Sequence, residues 1–352
     1  MQQQNSPIIK SHIKKRYKPQ HVTAINTVDI QPSQPTIIYT HTQQFQFWQY
    51  PWTLAYLCKQ TVLGLFNNDA PDLFLPPVEK KQFAQVQGDA KIFAEAIVGT
   101  QHRQPKINLP CQDAVKASIR PRPILILCDG AGSASVSELG STALTIQLTR
   151  LCQSIEPIIK TYLDENHHRD LKTLVRIIIR HAIGILQDLS EQHRRSIRDF
   201  RSTLNLVIVG TERILWLKIG DGEIIQESLF QYSSRSTVNT EYQFLGTQHK
   251  GEFANQTQFI DDQLVLDDLQ WGILDTETTT GLALMSDGAA EKLVSSQRDK
   301  VAGQLTQWLQ QLRGDQLKVV DIYKRFYSED FLSRSTGDDR SICLYSKSFN
   351  FS

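Results

Sequence analysis

Apolar residues along this chain recur with two distinct periods, and the switch between them marks out its elements. Ile124-Leu-Ile-Leu-Cys128 and Gly281-Leu-Ala-Leu-Met285 are short, nearly unbroken apolar runs, each followed closely by Asp-Gly, which is the pattern of a strand buried on both faces. A further strand is predicted over residues 92–98 and a closing one over residues 340–345. Val136, Leu139, Ala143, Leu144, Leu148, Leu151, Cys152 and Ile155 return at helical spacing, and so do Leu171, Leu174, Val175, Ile178, Ala182, Ile185 and Leu189. Val301, Leu305, Trp308, Leu309 and Leu312 predict a third helix. Between the helices, residues 204–209, 213–219 and 223–226 read as successive strands joined by Gly210-Thr-Glu212 and Gly220-Asp-Gly222, an antiparallel meander. Strands in runs and helices in runs predict an α+β layered fold rather than a βαβ wrap.

The first 88 residues behave differently. Gln-rich polar stretches there alternate with Pro-punctuated apolar patches, notably Phe45-Gln-Phe-Trp-Gln-Tyr-Pro-Trp52 and residues 62–66. The basic start cannot bury enough apolar area to offset its ordering entropy and is expected to be mobile. The aromatic patch has two readings, packing against the main domain or docking a partner. Residues 1–88 are therefore read as an N-terminal extension and residues 89–349 as the main domain.

Composition narrows the class. At 352 residues the chain has room for about two domains, and 40% hydrophobic against 21% charged residues suits a folded soluble protein. Lys+Arg 38 against Asp+Glu 37 leaves a net charge of +1, so no overall field recruits nucleic acid or an anionic membrane, and neither is expected as a partner. No apolar stretch approaches the ~20 residues of a membrane span, and the polar start lacks a secretory h-region, which makes the cytoplasm the expected location. Five scattered cysteines without CxxC spacing read as buried thiols rather than a disulfide framework or a zinc site.

The candidate chemistry lies in the acidic residues. Asp129 and Asp287 each follow an apolar strand, and Asp338-Asp339 immediately precede one. Carboxylates gathered at one end of a sheet, with Gly130 and Gly132 allowing close backbone approach, make a hard oxygen site suited to Mg²⁺ or Mn²⁺. Asp113, in Cys111-Gln-Asp113-Ala, adds a fourth acidic position ahead of the first buried strand.

The segments GTQHRQPKINLPCQDA, CDGAGSASVSELGS, RSTLNLVIVG, IGDGEI, GEFANQTQFI, LMSDGAAEKL and TGDDRSICLY occur in that order. Together they resemble the protein phosphatase 2C family of metal-dependent serine/threonine phosphatases, and the CQDA and GEFANQTQF segments look like a bacterial branch of it. The resemblance runs from about Phe93 to Tyr345 and implies an αββα sandwich, two antiparallel sheets flanked by helix pairs. It implies hydrolysis of phosphoserine and phosphothreonine in proteins by a hydroxide held between two Mn²⁺ or Mg²⁺ ions, with a third ion as an option. Carried over by position, Asp129 would bridge the ions, Gly130 would offer its carbonyl, Asp287 and Asp338 would hold the first ion, and Asp113 would sit beside the second. Gln112 stands where many members carry Glu, Asn108 where many carry a phosphate-binding Arg, and Ala131 where some carry His. His102 and Arg103 are then the candidates to contact phosphate or protonate the leaving group, with His102 preferred, so the expected catalytic set is His102, Asp129 and Asp287. Asp221 is read as a turn residue, Ser133 and Ser135 as helix-capping, Thr203 as packing, Cys128 as a core thiol and His167-His168 as part of a solvated connection. The resemblance also implies a phosphorylated protein substrate and a Ser/Thr kinase in the same signalling pathway. Two other readings stay open: a catalytically weak phosphoprotein-binding or regulatory module, and a small phosphoester hydrolase.

Overall fold

A computed structural model describes residues 85–87, 89–104, 107–165, 171–231, 238–247, 257–265 and 269–348, all within one compact unit spanning Leu75–Ser352. The aromatic patch of residues 45–52, residues 62–66, Cys58, His167-His168 and residues 251–256 of the GEFANQTQFI segment lie outside the described residues.

Two antiparallel sheets form the centre. One runs in the order β1 (Gln85–Gln87), β2 (Ala90–Ile97), β13 (Arg340–Lys347), β12 (Thr279–Met285), β9 (Glu223–Gln231) and β10 (Val238–Leu245). The other runs β11 (Gln270–Asp275), β8 (Arg213–Ile219), β7 (Leu204–Val209), β6 (Ile124–Asp129) and β5 (Asp113–Ser118). A short hairpin, β3 (Arg103–Gln104) with β4 (Ile107–Asn108), stands apart from both.

Alternation along each strand explains why the apolar runs are unbroken. Leu282 and Leu284 of β12, Cys343 and Tyr345 of β13, and Leu125 and Leu127 of β6 meet in the core between the sheets. Ala283, Met285, Ile342 and Leu344 point the opposite way, into a second core with Trp308, Leu309, Leu312, Phe326 and Phe331. A strand covered on both faces needs apolar side chains at every position. The second core is supplied by α4 (Asp287–Leu293), α5 (Gly303–Arg313), α6 (Val319–Phe326) and α7 (Glu329–Leu332). On the other flank, α1 (Ser137–Ser154) packs over β5 and β6 and contacts α3 (Leu171–His193). The αββα layering matches the expectation from the sequence.

Several boundaries differ for local reasons. The first helical pattern ends at Ser154, and Pro157 sits in the first turn of a separate α2 (Glu156–Leu163), since proline fits a helix start and breaks a helix interior. Val301 falls outside α5 and instead bridges Val294. The expected capping by Ser133 and Ser135 does not form: α1 is preceded by Val136 with no side-chain cap, while Ser135 Oγ accepts from Arg195 and Ser133 Oγ from Arg201. Arginines of the loop after α3 take both serines first.

Two glycines test this packing. A Cβ on Gly140 of α1 would lie 1.8 Å from the Phe200 carbonyl oxygen, whereas one on Gly184 of α3 would meet nothing within 4 Å. Gly140→Ala is expected to lower unfolding stability by about 2–3 kcal/mol through overpacking. Gly184→Ala is expected to raise it by about 0.5–1 kcal/mol through helix propensity. Urea unfolding of the two variants beside the wild type checks both signs.

Candidate active site

The sandwich delivers its acidic residues to one end of the two sheets. Asp129 closes β6 and pairs in register with Asp113 at the start of β5, while Asp287 follows β12 and Asp338 precedes β13. Carboxylate oxygens of Asp129, Asp221 and Asp287 lie within 4.8 Å of one another, and so do ligand-capable atoms of His102, Asp338 and Asp339. Asp221 therefore belongs with the acidic group rather than only to a turn, which corrects its assignment from sequence. Its signal was available in the Gly220-Asp-Gly222 turn, whose tightness places the carboxylate at the same sheet end; Gly220 adopts φ +105° there. Thr257 Oγ1 donates to Asp221 Oδ2 at 2.6 Å.

Backbone contacts fix the carboxylates in place. The Asp129 carbonyl accepts from Thr203 N at 2.8 Å and Ser202 Oγ at 2.7 Å, and Asp129 N donates to Thr203 Oγ1 at 3.0 Å. Thr203 thus positions Asp129 as well as packing. Gly130 N donates to the Gln112 carbonyl at 3.1 Å, and a Cβ on Gly130 would come 2.8 Å from that oxygen and from Ser137 Oγ. Gln112 consequently serves through its main chain, whatever its amide does. At the other strand end, a Cβ on Gly288 would meet the Asp339 carbonyl at 2.2 Å, and Gly288 N donates to Asp287 Oδ1 at 2.6 Å.

The electrostatics of this arrangement are unfavourable by themselves. Burial pushes Asp113 well above the usual carboxylate range, and Asp339 adds to it. Asp129 is raised well above that range by burial, then by Asp113 and Asp287. Asp287 rises from 3.8 to about 6 through surrounding protein, Asp221 and Asp338, although its side chain faces solvent. Asp113 Oδ2 is buried with no hydrogen-bond partner. An all-oxygen donor set, mutual carboxylate repulsion and an orphaned carboxylate oxygen together fit hard divalent cations such as Mg²⁺ or Mn²⁺. Beside the group opens a cavity of about 340 Å³ lined by Asp221, Glu223, Asp287, Glu291, Ser295 and Thr336, among others.

The remaining expected residues divide. His102 is buried, with Nδ1 3.0 Å from Asp339 Oδ1. Arg103 is exposed and lies over the Tyr327 ring at 5.9 Å. Ala131 and Cys128 are buried. Asn108 lies in β4, and its side chain is outside the described residues.

A model of protein phosphatase 2C matches residues 98–321, more than half of the chain. The chain belongs to the protein phosphatase 2C family. Its fold is similar to the crystal structure of a bacterial serine phosphatase, with 16% identity, a TM-score of 0.51, and coverage of 74% of this chain and 99% of that one. It is also similar to serine-threonine phosphatase 2C from Toxoplasma gondii, at 12% identity and a TM-score of 0.51, covering 75% of this chain and 97% of that one. No curated protein matches the chain in sequence. Both structural relatives share the fold; the family assignment rests on the sequence match, within which all the acidic site residues except Asp338 and Asp339 fall. Among the described residues no helix is long and apolar enough to cross a membrane.

The Asp287 shift gives a signed prediction for this protein phosphatase 2C family member. A carboxyl raised from 3.8 to about 6 binds its proton more tightly when folded, so it withdraws stability as pH climbs through that window. Without divalent cations, Asp287→Asn is expected to melt higher than the wild type at pH 8, and the difference should shrink to a small fraction near pH 4. Thermal unfolding in EDTA at the two pH values measures it.

Proposed function

We propose that this protein hydrolyses phosphoserine and phosphothreonine in proteins, with two Mn²⁺ or Mg²⁺ ions held by Asp129, Gly130, Asp287, Asp338 and Asp113. The observation that carries the reading is the gathering of carboxylates from the ends of both sheets into one partly solvent-facing group whose mutual repulsion divalent cations would relieve. Bound there, such ions would acidify a water and offset charge on the phosphoryl oxygens.

The chain's own residues do the rest. Asp129 and Asp287 are positioned to bind, the first through Thr203 and Ser202, the second through Gly288. Asp113 brings a carboxylate oxygen without a partner to the side where Gln112 supplies an amide in place of a second acid. His102, with a ring nitrogen within 4.8 Å of Asp338, is the group we assign to move a proton to the leaving oxygen. A phosphorylated protein is the substrate that follows from the family, and a Ser/Thr kinase of the same pathway is the partner that would supply it.

Phosphate release from a phosphothreonine peptide tests this directly. Wild-type release is expected to depend on Mn²⁺ or Mg²⁺, to stop in EDTA, and to fall by ~100-fold or more in Asp129→Asn and Asp287→Asn. Release that persists in both variants, or a wild type inactive with every divalent ion tried, overturns the reading. Nucleotides run in parallel decide whether the preferred phosphoester is a protein or a small molecule.

A further inference from the structure

The turn that carries His102 is fastened to the entry of β13 at several points. Gln101 N donates to the Gly337 carbonyl at 2.9 Å, and a Cβ on Gly99 would come 2.3 Å from the Asp338 carbonyl group. One side chain sits at the middle of this seam. Asp339, 2% exposed, accepts from Gly99 N at 2.6 Å through Oδ1 and from Gln112 N at 2.6 Å through Oδ2. Its third partner is His102 Nδ1, 3.0 Å from Oδ1.

The donor count decides how that third contact works. Both Asp339 oxygens already receive a backbone N–H, the task of a carboxylate acting as acceptor only. Nδ1 must then be the donor, which fixes the ring and leaves Nε2 as the nitrogen free to exchange a proton. Asparagine would satisfy fewer partners, since it has one acceptor oxygen and would turn an NH₂ towards one of the three donors. The same seam holds the His102 ring within 4.8 Å of Asp338, at the edge of the acidic group. Ala131 offers no proton-donating side chain in the Asp129-Gly130 loop.

We propose that Asp339 is a positioning residue that holds His102 with its proton on Nδ1, so that Nε2 serves the leaving oxygen of the phosphoester. This rests on the phosphatase reading above. In the step, water oxygen bonds to phosphorus, the bond from phosphorus to the threonine oxygen breaks with its electron pair passing to that oxygen, and Nε2 gives it a proton. The proton shed by the attacking water restores the balance, yielding threonine and inorganic phosphate.

The test compares two leaving groups at one pH. p-Nitrophenolate leaves as a stable anion, whereas the threonine alkoxide needs a proton. His102→Gln and Asp339→Asn are each expected to lower kcat on a phosphothreonine peptide by ~100-fold. KM and the turnover of p-nitrophenyl phosphate should stay within about threefold, and the double variant should be no worse than either single one, because the two residues act as a unit. Equal losses on both substrates, or losses that multiply in the double variant, overturn the proposal. A wild type inactive on both substrates overturns instead the phosphatase reading beneath it. Nitrogen-15 NMR of the wild type supplies an arm independent of turnover and of whether Asp339→Asn folds: a proton on His102 Nδ1 supports the arrangement, and a bare Nδ1 overturns it.

Discussion

Repulsion among the carboxylates is the constraint on which the rest of this structure depends. Asp113, Asp129, Asp221 and Asp287 crowd one end of the sandwich, and burial together with their neighbours raises Asp113, Asp129 and Asp287. Left to itself such a group would spread apart. It is held by strands that end where the acids begin: Asp129 is locked by main-chain and hydroxyl contacts to Ser202 and Thr203, and Asp113 faces it through the β5–β6 register. The opposing side is tied by Ser286, whose Oγ accepts from Ser341 N at 3.0 Å, so the residues beside Asp287 and Asp339 move as one piece.

Two cores make that rigidity possible. The layer between the sheets and the layer beneath α4 to α7 share the strands β12 and β13, whose residues alternate between them. A shift of either strand would disturb both cores at once, and close-packed interiors resist such shifts. The site's unfavourable charge is therefore borne by apolar burial elsewhere, and a bound divalent cation would relieve part of it.

This division of labour also explains what was legible in the sequence. Asp129 and Asp287 stood out because each follows a strand that must be apolar at every position, and the helices stood out because α1, α3 and α5 bury one face. β5 was not legible, since its residues are half-buried and carry no clean alternation. Asp221 was hidden by a turn that accounts for Gly-Asp-Gly without any function. The Ser135 cap failed because arginines distant in sequence claimed the hydroxyls, which local spacing does not encode. Asp339 was the least legible: beside Asp338 it looked like a duplicate, and only the fold shows that one of the two adjacent acids turns inward to three donors.

That last contrast lies in what holds each acid. Both precede β13 and both bring an oxygen within 4.8 Å of a His102 ring nitrogen, but their other partners differ. Asp338 contributes to the raised proton affinity of Asp287, while Asp339 gathers Gly99, His102 and Gln112. A doubled acid at a strand entry thus does two jobs in one step of chain, placing a charge in the acidic group and bracing the loops that border it. Gln112 fits the same logic. Its main chain receives Gly130 and Ser141 and donates to Asp339, so the segment keeps its shape with a neutral side chain, and the loss of one charge there lightens the repulsion that the rest of the fold has to hold.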